Sequence, residues 1–222
     1  SDVVAVDLSL TSLAYAARQM ENLGLKNVTF AQADILALEG IGRQFDVVEC
    51  GGVLHHLADP VAGWRVLAGL TKPGGYMLMA LYSDLGRRDL DPAIAFARDG
   101  GYGTSAEELR RFRTDVLALP ANHAARSLVV DRNDFYNLSM LRDLVFHVEE
   151  HRFTIAGIRS AQEQLGLEFG GFGVEPEIMA KFYQAFGAQA DVRSLELWEE
   201  FERNHPAIFS AMYHFLVLRP AR

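Results

Sequence analysis

From Val3 to Leu81 the chain alternates short apolar runs with amphipathic helical stripes, and this alternation constrains the fold more than any other feature. Val3 to Val6 reads as a buried strand delivered to Asp7. Ser9 then stands as an N-cap, Leu13, Ala16, Ala17, Met20 and Leu23 recur at helical spacing, and Gly24 stops the helix. Val28 to Ala31 predicts a second strand leading to Asp34, and Phe45 to Cys50 a third running into Gly51-Gly52. Asp59-Pro60 has the form of an N-cap followed by proline at the first helical position. Val61, Trp64, Leu67 and Leu70 give that helix its apolar face. Lys72-Pro73-Gly74-Gly75 predicts a turn into a fourth strand, Tyr76 to Leu81. Strands alternating with helices imply an α/β fold, with a parallel sheet covered on both faces.

Beyond Tyr82 the pattern changes. Residues 85–160 carry helical periodicity without strands and predict a helical insertion, a lid over the substrate. Leu167 to Val174 resumes as a strand, Glu177 to Phe186 and Leu195 to Arg203 read as helices, and Tyr213 to Leu218 closes as a last strand. The expected organisation is a partial Rossmann-like core over 1–84, the insertion over 85–160, and strands and helices completing the sheet over 161–222.

With 21 basic and 29 acidic residues, the net charge of −8 argues against a long polyanion as partner, so no nucleic acid is expected. No apolar run approaches the roughly 20 residues that span a bilayer, so no membrane partner is expected either. A single cysteine, Cys50, makes no internal disulfide, and a cytoplasmic location follows as the expectation. The aromatic residues of the tail, Phe182, Phe186, Trp198, Phe201, Phe209 and Phe215, read as core or lid packing.

An acid at the carboxyl end of a parallel strand can accept hydrogen bonds from both hydroxyls of a ribose. Asp7 suits that role, and equally that of capping the next helix. Asp34 stands where a carboxylate can accept a hydrogen bond from an adenine amine, with Leu8 and Ile35 as apolar faces for the ring. Phe45-Asp46-Val47-Val48-Glu49-Cys50-Gly51-Gly52-Val53-Leu54-His55-His56-Leu57-Ala58-Asp59-Pro60 and Leu70-Thr71-Lys72-Pro73-Gly74-Gly75 then narrow the choice. Together with Val6-Asp7-Leu8-Ser9, they resemble the class I S-adenosylmethionine-dependent methyltransferases over residues 1–84. Asp134 to Ser139 and Arg142 to Phe153 resemble a bacterial subgroup that often follows tetratricopeptide repeats. The resemblance implies S-adenosylmethionine as cofactor, with Asp7 on the ribose, Leu8, Asp34 and Ile35 about the adenine, and the Cys50-Gly51 corner at the methionine portion. It also implies a first strand and glycine-rich turn ahead of Ser1, lying centrally between the strands that end at Asp7 and Cys50, so the chain reads as lacking its first βα unit. An upstream repeat domain or a homo-oligomer is the associated partner expectation, and the methyl acceptor is unidentified.

Methyl transfer needs a positioned nucleophile, and a base only where that nucleophile is protonated. His55 and His56 follow the Cys50 corner and either accept a substrate proton or orient the helix at Asp59. Tyr82 ends a strand near the same rim, and Tyr136 precedes the polar helix. His147-Val148-Glu149-Glu150-His151 matches the H-x-x-E-H zinc pattern. As a helix it places His147, His151, Asp143 and Glu150 on one polar face, for solvent, ion pairs or substrate contact, and no metal is expected there. Arg110-Arg111-Phe112-Arg113 reads as an exposed helix with i,i+4 pairs. The rival readings are a non-catalytic scaffold of the same fold, a zinc hydrolase using His147 and His151, and a nicotinamide dehydrogenase. The last is disfavoured by the two segments around His55 and Gly74.

Overall fold

The structure is a computed structural model describing residues 1–127, 129–147 and 150–221. Strand β1 (Val3–Asp7), helix α1 (Leu10–Asn22) and strand β2 (Val28–Gln32) form the first unit, in which β1 and β2 pair in parallel. Strand β3 (Phe45–Gly51), helix α2 (Pro60–Leu70) and strand β4 (Thr71–Tyr82) form the second, with β3 parallel to β4. The N-caps are those the side chains dictate: Ser9 Oγ accepts from the Ser12 N–H at 3.2 Å, and Asp59 Oδ1 from the Ala62 N–H at 2.9 Å.

Strand β4 starts earlier than the Lys72-Pro73-Gly74-Gly75 turn predicts. Thr71 already pairs with Phe45, and Tyr76 pairs with Val47, so the residues between bulge outward opposite Asp46. A Cβ at Gly75 would lie 2.7 Å from the Asp46 carbonyl oxygen, which is why glycine stands there. The turn signal was real but was absorbed into the ladder.

After β4 come α3 (Asp84–Arg87), α4 (Asp91–Asp99), α5 (Ala106–Ala118), α6 (Ala124–Ser127) and α7 (Leu138–Val145). They enclose a core of their own, built on Leu90, Leu109, Phe112, Val116, Phe135 and Leu141. Helix α8 (Ile155–Leu165) belongs elsewhere: Ile155 and Ile158 join the core of the sheet, so the insertion ends near Phe153 rather than at residue 160. Strand β5 (Glu168–Phe172), helices α9 (Pro176–Phe186) and α10 (Leu195–Asn204) and strand β6 (Met212–Leu218) finish the chain. Trp198, stacked on Phe182 at 4.2 Å between ring centres, anchors the tail aromatics in that main core.

The strand order is β3-β4-β6-β5, with β6 antiparallel to both neighbours, while β1-β2 forms a separate ladder. No hydrogen-bonded pairing joins β1 to β3 among the described residues. Val3 and Val47, at 44% and 42% exposure, are strand residues of an apolar type left open to solvent. Of the residues of α1, only Leu13 is buried.

Helix α3 is held against the loop before β6. Ser83 caps it by accepting the Gly86 N–H at 3.0 Å, and a Cβ on Gly86 would overlap the Phe209 carbonyl oxygen. Because the obstacle is backbone, Gly86→Ala is expected to destabilise the protein by about 1–3 kcal/mol, read by urea denaturation. An unchanged midpoint would show that the loop at Phe209 yields freely.

Candidate active site

The parallel strands deliver their acids as the sequence predicts. Asp7 ends β1, and the Ala33 N–H donates to its carbonyl at 3.3 Å, which sets Asp34 just beyond the neighbouring strand. Each carboxylate makes one local bond: Asp7 Oδ1 accepts from the Ser9 N–H at 2.7 Å, and Asp34 Oδ1 from the Leu36 N–H at 2.8 Å. These bonds fix each side chain in a turn. Asp7 is exposed and Asp34 half-buried, while Leu8 is exposed and Ile35 packs against the main core. These strand ends thus present two carboxylate acceptors beside two apolar side chains, Leu8 and Ile35. Cys50 is buried, and burial pushes its thiol up to about 11, so it is a protonated core residue rather than a nucleophile. What the Cys50-Gly51 corner offers a ligand is backbone.

At the carboxyl ends of β3 and β4 the structure brings four histidines and a tyrosine together. His55 is fully buried and stacks on the Tyr82 ring with centres 3.6 Å apart. His56 stacks on His147 at 3.5 Å and meets Tyr82 edge-on at 5.5 Å. The His151 N–H donates to the His55 carbonyl at 2.8 Å, and the Phe153 N–H to the Tyr82 carbonyl at 2.8 Å. Residues 151–153 thus run back along the strand end. All five acceptor-site candidates meet here, whereas Tyr136 stands exposed, packed on Phe135 of the insertion.

The described residues of the H-x-x-E-H segment do not continue helix α7 as the periodicity predicts. Helix α7 ends at Val145, Phe146 caps it, and His147 and Glu150 lie in irregular backbone; Val148 and Glu149 fall outside the described residues. Tertiary bonds to His55 and Tyr82 outcompete the continuation of the helix. Among the described residues no group of three or more His, Cys, Asp or Glu side chains is placed to hold a metal ion. The arginines of α5 also depart from the expected i,i+4 ion pairs. Arg110 and Arg113 donate to the carbonyls of Ala106 and Tyr136, and Arg111 lies over the Tyr102 ring at 4.6 Å.

Burial, with the positive charge of His56, Arg87, His147 and His151, lowers the His55 imidazole to about 3. Its Nδ1 accepts from the Tyr82 N–H at 3.4 Å, which assigns the proton to Nε2. Nε2 is buried with no partner among the described residues. His55 is therefore a neutral donor across the physiological range and not a base. Burial also raises the Tyr82 phenol, so it stays protonated.

Sequence reasoning missed Arg87, 2% exposed, whose guanidinium lies 3.7 Å from the Tyr82 ring centre. It grips Glu150 through Nε at 3.0 Å and Nη2 at 2.7 Å, and donates to the Leu144 carbonyl at 3.0 Å. Glu150 also accepts from Arg152 at 2.8 Å, and Arg152 pairs with Asp91 at 2.7 Å. Burial raises Glu150, but the two guanidiniums outweigh it and hold the carboxyl below its ordinary range.

Behind the site, Ser83 and Tyr213 donate to Glu202 Oε1 at 3.3 and 2.7 Å. Burial raises Glu202 above its ordinary value of 4.5, so the folded protein holds this proton more tightly than the unfolded chain does. The neutral carboxyl contributes stability that is fully present below the ordinary value and lost as pH rises through the folded one. As pH rises above the ordinary value, the melting temperature of Glu202→Gln should therefore gain on that of the unmodified protein. Parallel curves would show that Glu202 ionises freely. A recess of about 590 Å³ beside Arg65, Gly69, Glu168 and Arg219 lies at the opposite strand ends, remote from all of these residues.

The fold is that of the class I S-adenosylmethionine-dependent methyltransferases. PKMT2 from Rickettsia typhi superposes with a TM-score of 0.67 at 16% identity, covering 99% of this chain and 44% of that one. A methyltransferase from Mesorhizobium loti gives 0.52 at 18% identity, covering 99% and 81%. Residues 1–108, just under half of the chain, match the methyltransferase domain family. An uncharacterised protein of Synechococcus sp. is 28% identical over 90% of this chain and 50% of its own length. The ubiquinone biosynthesis O-methyltransferase of Caulobacter vibrioides is 40% identical over 82 residues, 35% of this chain and 31% of its own length. The chain thus spans between about a third and a half of these curated relatives.

Proposed function

We propose that this domain transfers a methyl group from S-adenosylmethionine to an oxygen, nitrogen or carbon of a small molecule or protein side chain. The observation that carries this reading is Asp7 and Asp34 at the carboxyl ends of adjacent parallel strands, within a segment matching the methyltransferase domain family. S-adenosylmethionine, when bound, supplies a methyl carbon on a sulfonium. Asp7 accepts from the ribose hydroxyls, Asp34 from the adenine amine with Leu8 and Ile35 about the ring, and the Cys50-Gly51 backbone borders the methionine portion. The acceptor's lone pair would take that methyl group, and a protonated acceptor would give up its proton to a base of this chain. With His55 held neutral, His56, His147 and His151 are the candidates for that base, and the Tyr82 hydroxyl orients the acceptor. The helical insertion serves as the lid over it.

The break between β1 and β3 supports a further strand, contributed by upstream polypeptide, as the partner of both. Unpaired backbone groups and open valines on both strands favour its insertion. The same break favours a second reading, a scaffold that has lost the cofactor. Calorimetry separates the two: protein continued upstream through a strand and glycine-rich turn should bind S-adenosylhomocysteine, and a folded extended protein without affinity would leave the scaffold. No helix among the described residues is long and apolar enough to cross a membrane. A cytoplasmic setting, association with repeats or a second copy, and independence from nucleic acid and membranes complete the proposal.

A further inference from the structure

The aromatic stack at the acceptor site has a third layer. His55, Tyr82 and the Arg87 guanidinium lie face over face, with successive separations of 3.6 and 3.7 Å. A ring between an imidazole and a cation is restrained from both sides, and the buried cation is attracted to the ring face. Arg87 is itself held by three groups from two later segments: the Leu144 carbonyl at the end of α7, and both oxygens of Glu150. Glu150 continues through Arg152 to Asp91 at the start of α4. One guanidinium therefore joins the strand end, the last helix of the insertion and the returning segment that carries His151.

We infer that Arg87 is the positioning residue of the acceptor site, fixing the Tyr82 ring against His55 and coupling that geometry to the docking of the helical insertion. The inference rests on the reading that Tyr82 faces the methyl acceptor. Arg87 touches no reacting atom in this account; it acts through Tyr82. A planar fork suits the task, because one face covers the ring while the edge spans the carboxylate. The surroundings also separate positioning from mere stability. When Arg87 is removed, Glu150 keeps Arg152 as a partner, so the change leaves no buried carboxylate without a counter-charge.

The test uses the full chain with isotope-labelled histidine and tyrosine. Nuclear Overhauser contacts between the His55 and Tyr82 rings report the stack, assigned by their disappearance in Tyr82→Leu. Arg87→Gln is expected to lose the contact, and Glu150→Gln, which keeps the arginine and removes only its anchor, to lose it as well. The second variant stands in if the first does not fold. An intact contact in either folded variant would overturn the role. S-adenosylhomocysteine affinity, measured on the same variants in protein extended upstream, should be unchanged, since the cofactor residues lie at or just beyond the carboxyl ends of β1, β2 and β3. Absence of affinity in every sample, including the unmodified one, would count against the methyltransferase reading and leave the stacking result standing.

Discussion

Replacing Asp7 with alanine is expected to weaken S-adenosylhomocysteine binding about 100-fold, in protein that carries the strand between β1 and β3. The estimate comes from the bonds lost. Two hydroxyls donating to one carboxylate are charge-assisted hydrogen bonds, each worth about 1.5–3 kcal/mol when shielded from water. Asp7 is exposed, so the lower end applies, for a total of about 3 kcal/mol. Folding should hardly notice the change, because the exposed side chain makes one hydrogen bond, accepted from the Ser9 N–H two residues on. Calorimetry on Asp7→Ala reads the affinity, and a thermal melt on the same sample reads the fold. Undiminished affinity would remove Asp7 from the ribose role; a collapsed melt would move it into the architecture.

What could be read from the sequence was what local chemistry decides. Ser9 and Asp59 announce their helices because a cap needs only a side-chain oxygen three residues before a free N–H. Val6-Asp7 and the strand ending in Gly51 likewise declare themselves by apolar runs that stop at a polar or flexible residue. The misses share one cause, which is a partner distant in sequence. Gly75 sits in a bulge because Asp46 lies opposite, and helix α7 ends at Val145 while His151 bonds to His55 and Glu150 to Arg87. No periodicity records such a pairing. Arg87 carried no local signal at all.

The five acceptor-site candidates show the same division. Their convergence followed from topology, since β3 and β4 are adjacent and parallel and both end at this rim. Their chemical roles did not follow. His55 and His56 are neighbours in sequence, yet one is buried between Tyr82 and the main core while the other lies half-exposed on His147. Burial, invisible in the pair itself, separates a fixed donor from a candidate base.

That difference makes acid the condition under which His55 matters most. The folded protein holds its imidazole at about 3, against 6.5 for a solvated histidine, so below 6.5 the unfolded chain takes up a proton that the folded one refuses. Stability must then fall with pH across that interval. The full difference is of order 5 kcal/mol, a large share of a total that is typically about 5–15 kcal/mol. His55→Phe keeps an aromatic face on Tyr82 and removes the titration. Its added bulk and the lost acceptor for the Tyr82 N–H should cost about 1–2 kcal/mol at neutral pH. Carboxylates such as Glu150 titrate in both proteins, so the informative quantity is the difference between the two urea-denaturation series. At about pH 4 the variant should have regained about 3 kcal/mol relative to the unmodified protein. Equal acid sensitivity in the two would mean that His55 protonates without penalty, and the proton of a methyl acceptor could then pass to it as readily as to His56, His147 or His151.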